Sequence, residues 1–487
     1  MSGLIRASIW LSLSELAFNL SGYIIHSLMG RLLGPANYGR FNIVITFSTM
    51  IFVLFGRGLP IAMSKLMSET TDENKIGAIK KVSFKIQILM IIFLTAVYYL
   101  LAPVCAKLLR DQSLTNLFRI SSLIIPTFML ATYYVYYFNG IHRFGTQSFL
   151  KFIRSIFRVL LIVGLGYFYK VAGAIWGQVL APLFVSIFSF FADPYKKKIK
   201  VSPKEEKEYK NKLLSFTWPI TLFLLFYELM ISIDLYLVKA ILGDDHLTGI
   251  YSASLNVSRI PYYAFYFLTM LLLPKISQMT AQKTNGETST LLKKSFKFLF
   301  ILLIPSIALL HAFSSSVIRF FYGSRYSDGS DTLNILLYAN AFLTVFYILT
   351  FVLNGGGKTR LPLYLSLFGA ILNSALNYIF IQHWGIIGSA SATAITALVT
   401  MIGTIFYTEK FLASFLEIKS ILKYFIFSGL IYFLAINFFP QGRFIFILWS
   451  VILMVIYLGA LVLTKEISIR DWNFFLLSLK KKRIKNQ

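Results

Sequence analysis

The sequence is poor in charge, in acidic residues and in cysteine. Of its 487 residues, 14% are charged, against about 25% in soluble domains. Its one cysteine, Cys105, excludes an intrachain disulfide and a cysteine-based metal site. Catalytic motifs are also missing: there is no His-Glu-x-x-His, and Val352 stands where a P-loop ending at Lys358-Thr359 needs its first glycine. We therefore expect no resident metal, no cofactor and no enzymatic activity.

Long apolar runs are what the sequence has in abundance. Apolar residues make up 57% of the chain, and the mean hydropathy is +0.70. Runs of about 18 residues or more recur from end to end, which is typical of an all-α polytopic membrane protein. The first run contains Glu15 and has no small-residue cleavage site, so we expect an uncleaved spanning helix. Fourteen spans are predicted, at about 6–30, 38–64, 82–102, 114–138, 150–169, 171–192, 213–242, 248–273, 291–313, 333–353, 359–381, 385–408, 420–438 and 443–463.

The Lys and Arg residues that give the net charge of +27 are distributed as the predicted topology requires. With the first residues placed inside, 35 of the 47 Lys and Arg fall in inside segments, one of which is counted as 139–158. Cytoplasmic connections of membrane proteins carry such an excess. We therefore expect a multi-pass protein with both termini cytoplasmic, whose basic residues contact anionic membrane lipids and not nucleic acid.

Short motifs recur at near-constant offsets. The pairs are Asn139-Gly140 with Asn354-Gly355 and Gly173-Ala174 with Gly388-Ser389, at an offset of 215, and Gly34 with Gly243 and Gly39 with Gly249, at offsets of 209 and 210. They predict two six-span copies of the same orientation around a central cavity, an architecture typical of transporters that work by alternating access. The predicted parts are an N-lobe at 1–192 (spans 1–6), a basic cytoplasmic linker at 193–212, a C-lobe at 213–408 (spans 7–12), spans 13–14 at 409–463 and a basic tail at 464–487.

Ionisable residues deep in predicted spans indicate function, because charge in hydrocarbon is costly. Glu15, Glu228 and Arg259 each lie roughly 14–22 Å from a span end, at about 1.5 Å per residue. Under the repeat offset the two acids share a face of equivalent helices, and Asn19 continues that face in span 1. Two interpretations stay open. One is a cavity lining with a proton- or cation-sensitive carboxylate, and the other is a structural pair such as Glu228 with Arg259.

Further charged residues lie nearer the span ends. Arg57 is placed between two glycines near the cytoplasmic headgroups. It either snorkels to lipid phosphates or lines a locally broken helix. The remaining candidates are Lys65 at the cytoplasmic interface and, towards the outer face, His26, Arg31 and Asp234 as residues that pair, gate or couple.

Three stretches carry a resemblance to a known superfamily. They are Gly30-Arg31-Leu32-Leu33-Gly34-Pro35 followed by Tyr38-Gly39, then Gly58-Leu59-Pro60-Ile61-Ala62-Met63-Ser64-Lys65, and the Asn-Gly motifs after spans 4 and 10. Through them the chain resembles the polysaccharide-biosynthesis branch of the multidrug/oligosaccharidyl-lipid/polysaccharide (MOP) exporter superfamily. That branch includes O-antigen and capsular repeat-unit flippases (Wzx type) and lipid II flippases (MurJ and sporulation-protein type).

The resemblance implies a V-shaped, two-lobed helical bundle in a bacterial or archaeal cytoplasmic membrane. It implies movement of an undecaprenyl-diphosphate-linked oligosaccharide from the inner to the outer leaflet, with cationic cavity residues on the diphosphate. Arg57 and Arg259 occupy matching spans here. The implied partners are a polyprenyl-diphosphate-linked glycan, membrane lipids and other polysaccharide assembly proteins. Any coupling would be to a proton, a sodium ion or the membrane potential.

Three functions stay open at this point. The first is a flippase for an O-antigen, capsule or exopolysaccharide repeat unit, with lipid II as the alternative substrate. Glu15 and Glu228, in place of clustered arginines, favour the oligosaccharide, whereas the extra spans 13 and 14 favour lipid II. The second is a cation-coupled multidrug exporter of the same fold, with one of those acids as coupling carboxylate. The third is a membrane transferase or ligase, against which the short outer connections argue.

Overall fold

The described part of the chain is built from helices. The computed structural model describes residues 2–56, 58–194, 202–282, 285–438 and 445–466, and contains no strand within them. The helices are α1 (Ser2–Gly56), α2 (Gly58–Ser68), α3 (Glu73–Leu108), α4 (Leu114–Ser121), α5 (Ile124–Gly140), α6 (Phe144–Ala192), α7 (Pro203–Leu242), α8 (Asp245–Ser258), α9 (Ile260–Phe265), α10 (Phe267–Ala281), α11 (Asn285–Ala312), α12 (Ser314–Tyr322), a 3-10 helix (Ser324–Gly329), α13 (Ser330–Gly355), α14 (Arg360–Phe411), α15 (Ile418–Asn437) and α16 (Ile445–Leu463).

Several helices are long and apolar enough to cross a membrane. Eight such segments occur in the described ranges, which confirms the polytopic all-α class. The longest of these eight, α6 and α14, have 49 and 52 residues, about twice what one crossing needs. Each contains one break in its helical backbone, at Tyr169–Lys170 in α6 and at Gly385 in α14. The tight turns predicted between spans five and six and between eleven and twelve are confirmed at these breaks.

The internal repeat is visible in the geometry of those breaks. Lys170 has φ 54° and ψ −134°, and Gly385, 215 residues later, has φ 56° and ψ −135°. A Cβ on Gly173 would lie 2.0 Å from the carbonyl oxygen of Leu165, and one on Gly388 would lie 2.1 Å from that of Phe380. Gly173 and Gly388 are again 215 residues apart, as are Leu165 and Phe380. Glycine is needed at both positions for the same reason: the facing backbone is too close to leave room for a side chain.

Predicted span 8 is interrupted twice in the structure. Helix α8 ends at Ser258 and α9 begins at Ile260, while α9 ends at Phe265 and α10 begins at Phe267. At the first of these interruptions, Pro261 lies in the first turn of α9. Proline favours such a position because it has no N–H to donate to the preceding turn.

The described residues form two compact units. The first comprises residues up to 256 together with 321–328 and 366–393. In it, α6 packs along α1 and α5, and α2 packs on α5 and α7. Its buried core includes Met63, Tyr133, Tyr137 and Phe138.

The second unit comprises 257–320, 329–365 and the described residues from 394 onward, with α11 packed on α15 and α10 on α13. The predicted lobe boundaries stay a prediction. Of the predicted linker, residues 195–201 lie outside the described ranges, as does 467–487 of the predicted tail.

Two turns of the first unit meet at a contact that we call the turn junction, formed by residues 34–39 and 243–249. A Cβ on Gly39 would lie 2.4 Å from the carbonyl oxygen of Asp245. A Cβ on Gly249 would lie 1.9 Å from that of Pro35. The glycines that recur in the sequence are thus the residues that let the first turns of the two copies touch backbone to backbone.

Candidate functional site

Three basic residues of α6 form a stripe on one helix face. Lys151, Arg154 and Arg158 are separated by three and four residues, the spacing of neighbours along one side of a helix. They follow the first residue of α6, Phe144, by roughly 10, 15 and 21 Å, at about 1.5 Å per residue. We refer to these three residues as the α6 stripe.

The charge count assigned these residues to an inside connection at 139–158, which overlaps predicted span 5 at 150–169. In the structure α6 begins at Phe144, so all three lie within a helix that is long and apolar enough to cross a membrane. A lysine and two arginines inside hydrocarbon are costly and indicate a function or a specific partner. The signal was present in the sequence, because their spacing of three and four residues falls inside the apolar run predicted from 150.

One predicted acid is the partner of the stripe. The Nζ atom of Lys151 donates to Oε1 of Glu15 on α1, at 2.7 Å. Glu15 therefore lies in a cluster with net positive charge, rather than only in an acidic lining. Asn19, one turn further along α1, is half-buried.

Aromatic rings contact the two guanidinium groups of the stripe. Cζ of Arg154 lies 3.7 Å from the ring centre of Phe128 and 5.3 Å from that of Phe18. Cζ of Arg158 lies 4.3 Å from the ring of Phe18. Arg154 is 5% exposed. A ring face attracts a cation, and the attraction is stronger where water is excluded. The rings therefore offset part of the cost of burying these charges.

Asp234, a predicted coupling or gating residue, is fully buried and accepts hydrogen bonds from two neutral side chains. Its carboxylate accepts a hydrogen bond from Tyr251 at 2.7 Å and from Thr393 at 3.4 Å. Thr393 also lies 3.4 Å from Oδ1 of Asn373, whose Nδ2 donates to the carbonyl oxygen of Met230. This network joins α7, α8 and both halves of α14 within the first unit.

The turn junction is surrounded by four charged side chains. Lys239 is 2% exposed and donates to Asp245 at 2.5 Å and to Asp111 at 3.5 Å. Nε of Arg40 lies 3.9 Å from a carboxylate oxygen of each of the same two acids. The four residues come from α1, the α3–α4 connection, α7 and α8. We refer to them as the junction cluster.

Two of the predicted gating residues also lie at the turn junction. Nδ1 of His26 lies 3.0 Å from the hydroxyl of Tyr38, which is buried and accepts a hydrogen bond from Asn256 at 3.0 Å. Nε of Arg31 donates to the carbonyl oxygen of Phe321 at 3.0 Å. Both residues hold parts of the first unit together at this end.

The remaining predicted residues are distributed over several helices, and the pairing of Glu228 with Arg259 stays a prediction. Lys65 is exposed in the last turn of α2. Glu228 is half-buried in α7, and Arg259 is half-buried where α8 gives way to α9. Arg57 lies outside the described residues.

Comparison with known proteins assigns the chain to a family. The sequence model described as "polysaccharide biosynthesis protein" matches residues 4–280, more than half of the chain. The chain belongs to the polysaccharide biosynthesis protein family. A second model, MatE, matches residues 219–379, in agreement with the MOP-type fold.

Individual relatives cover most of the chain at low identity. Stage V sporulation protein B of Bacillus subtilis is 23% identical over 80% of this chain and 80% of its own. A putative O-antigen transporter of Shigella flexneri is 22% identical over 80% of this chain and 94% of its own. Among solved structures, a lipid II flippase MurJ in an inward closed conformation superposes with a TM-score of 0.77 at 19% identity, covering 94% of this chain and 99% of that one. The structural likeness confirms the fold.

The junction cluster makes a prediction about pH. Burial alone would raise the pKa of the Asp111 carboxyl, but the hydrogen bond from Ser113 and the charges of Lys239 and Arg40 hold that pKa below its usual value. A lowered folded-state pKa gives stabilisation that is present above the unfolded pKa of about 4 and is lost as pH falls through the folded value. The cluster should therefore keep its full strength from pH 8 to 5.

The measurement is the difference in melting temperature between the wild type and Asp111→Asn, recorded as a function of pH. We expect a constant difference between pH 5 and 8 and a smaller one below about pH 4. Lys107→Gln, an exposed basic residue in the last turn of α3, is the control and should show no such pH dependence. A difference that already shrinks between pH 7 and 5 would contradict this assignment.

Proposed function

We propose that this protein is a flippase for an oligosaccharide linked to a polyprenyl diphosphate. The expected carrier is undecaprenyl diphosphate, and the expected cargo is a repeat unit of O-antigen, capsule or exopolysaccharide. Membership of the polysaccharide biosynthesis protein family carries this proposal. The relative named as a putative O-antigen transporter, aligned over most of both chains, supports the choice of cargo.

The chemistry of the first unit supports transport of an anionic lipid headgroup. A flippase must carry a diphosphate and a sugar through hydrocarbon without making or breaking a bond in them. It therefore needs charge and polar groups within the membrane and no nucleophile. The α6 stripe supplies the positive charge, and Glu15 and Asp234 supply carboxylates at two separate places.

The turn junction supports alternating access. Under the predicted topology it lies at the outer face. A transporter of this kind alternates between two packings. We propose that the backbone contact at Gly39 and Gly249, together with the junction cluster, is the contact that separates when the protein opens outward.

We propose Asp234 as the coupling carboxylate. Its hydrogen-bond partners Tyr251 and Thr393, and Asn373 next to Thr393, provide oxygen atoms, which are the ligands that hard cations prefer. A buried carboxylate also takes up a proton readily. Either ion would neutralise the charge, so its arrival and departure would shift the balance between the two packings.

Lipid II is the alternative cargo, and a drug is the alternative outside glycan transport. Helices α15 and α16 correspond to predicted spans 13 and 14, the extra pair that favours lipid II, and α15 packs on α11. The MatE match over 219–379 supports the multidrug exporter as the second alternative. Partners among polysaccharide assembly proteins stay a prediction.

The function is tested by depleting the protein in the cell that makes it and identifying the lipid intermediates that accumulate. We expect polyprenyl-diphosphate oligosaccharide to accumulate by mass spectrometry while surface polysaccharide falls, with rescue by the wild-type gene. Accumulation of lipid II would show that the cargo is lipid II and not the oligosaccharide. A changed drug sensitivity with no lipid-linked glycan accumulating would reject the flippase.

The coupling proposal is tested by Asp234→Asn in the same cells. The substitution keeps size and hydrogen bonding but removes the charge, so we expect a normal amount of protein in the membrane and a loss of export by at least about tenfold. Asp331→Asn, in the first turn of α13, is the matched control and should export normally. Wild-type export by Asp234→Asn would show that this carboxylate does not couple transport.

A further inference from the structure

We infer that the α6 stripe is the binding site for the diphosphate of the transported lipid. The resemblance noted above implies headgroup contacts from spans such as 1, 2, 7 and 8, and it does not name span 5. The inference rests on the proposed function for the identity of the ligand, but its geometric basis is independent of that function. The stripe is a built cationic site within the membrane-length helix α6.

Charge arithmetic indicates what kind of anion the site takes. Lys151, Arg154 and Arg158 bring three positive charges, and Glu15 brings one negative charge at 2.7 Å from Lys151. The cluster formed by these four residues therefore has a net charge of +2. A diphosphate diester, which links a lipid to a sugar, carries two ionised phosphoryl groups and would neutralise it. A monophosphate diester carries one, and a neutral glycolipid carries none.

Arg158 has buried N–H groups that a ligand could use as hydrogen-bond donors. Its Nε and Nη1 atoms are buried and find no hydrogen-bond acceptor among the side chains that the structure describes. A guanidinium group is planar and offers five N–H donors, and it binds phosphate oxygens with pairs of parallel hydrogen bonds. Buried donors without an acceptor destabilise the protein. A phosphate group at this position would satisfy them.

Aromatic rings hold the two guanidinium groups in place. Cζ of Arg158 lies 4.3 Å from the ring centre of Phe18, and Cζ of Arg154 lies 3.7 Å from that of Phe128. A ring attracts a cation electrostatically and without a conventional hydrogen-bond acceptor. Phe128 is itself held by Phe52, whose ring centre is 3.7 Å away. The two arginines are therefore oriented before any anion arrives, which reduces the entropy cost of binding.

Glu15 is the resident counterion of the stripe. In its absence Lys151 would add a third uncompensated cation to a buried cluster. A diphosphate that approaches the two arginines would repel the carboxylate, so Lys151 would be shared between Glu15 and the ligand. We therefore regard Glu15 as a positioning residue and the two arginines as the contacts.

The test uses the full-length protein in lipid nanodiscs and a short-chain probe, farnesyl-diphosphate-N-acetylglucosamine. The equilibrium Kd is measured for the wild type, Arg158→Gln, Arg158→Lys and Lys151→Gln. Arg119→Gln is the matched control, because Arg119 also stacks on a ring, Tyr99 at 5.4 Å, but is exposed. We expect Kd to rise by about tenfold or more in Arg158→Gln, by less in Arg158→Lys, and not at all in Arg119→Gln.

Further probes separate the outcomes. Farnesyl-monophosphate-N-acetylglucosamine, a monophosphate diester, and phosphatidylglycerol should bind at least about tenfold more weakly than the diphosphate, and a phosphate-free analogue should be insensitive to Arg158→Gln. If Arg158→Gln does not elute as a folded protein, Lys151→Gln, at a half-exposed position, gives the same comparison. Equal Kd values in the wild type and these variants would overturn the site. Binding that is lost in them while the cells show no glycan transport would keep the site and reject the flippase.

Discussion

The close contact between the turns at Gly39 and Gly249 is the constraint on which the first unit depends. Both positions tolerate only glycine, because a Cβ would enter the backbone of the facing turn. The approach brings Lys239 and Arg40 within reach of Asp111 and Asp245, so the ion pairs around the junction follow from the glycines. Interfaces of this kind are bistable: once the backbones separate, the ion pairs lose their geometry together.

The internal repeat is preserved in backbone geometry and broken in charge. Lys170 and Gly385 share φ and ψ at an offset of 215, and Gly173 and Gly388 pack on equivalent carbonyls. At the same offset, Arg158 of the first copy corresponds to Asn373 of the second. The first copy thus has a cation where the second has an amide that contacts Thr393, a partner of Asp234. Under the two proposals made above, the first place would take an anionic headgroup and the second a cation or a proton.

Most of the fold was predictable from the sequence, whereas the site was predictable only in part. Long apolar runs, the offset of 215 and the recurring glycines predicted helices, tight turns and two copies, because these depend on local chain chemistry. The pairing of Glu15 with Lys151 depends on which helix packs beside α1, and one sequence does not contain that information. The stripe on α6 was missed because a count of positive charges by topology treats every arginine near a span end as exposed to water.

Transport in a defined membrane tests the central claim most directly. The full-length protein is reconstituted into vesicles that contain a fluorescent farnesyl-diphosphate glycan, and dithionite, which does not cross the bilayer, is added outside. The account predicts that dithionite quenches label from both leaflets with the protein present and from the outer leaflet alone without it. It also predicts that a phosphate-free analogue keeps its inner-leaflet label. Quenching no greater than in protein-free vesicles, or equal movement of the phosphate-free analogue, would contradict the account.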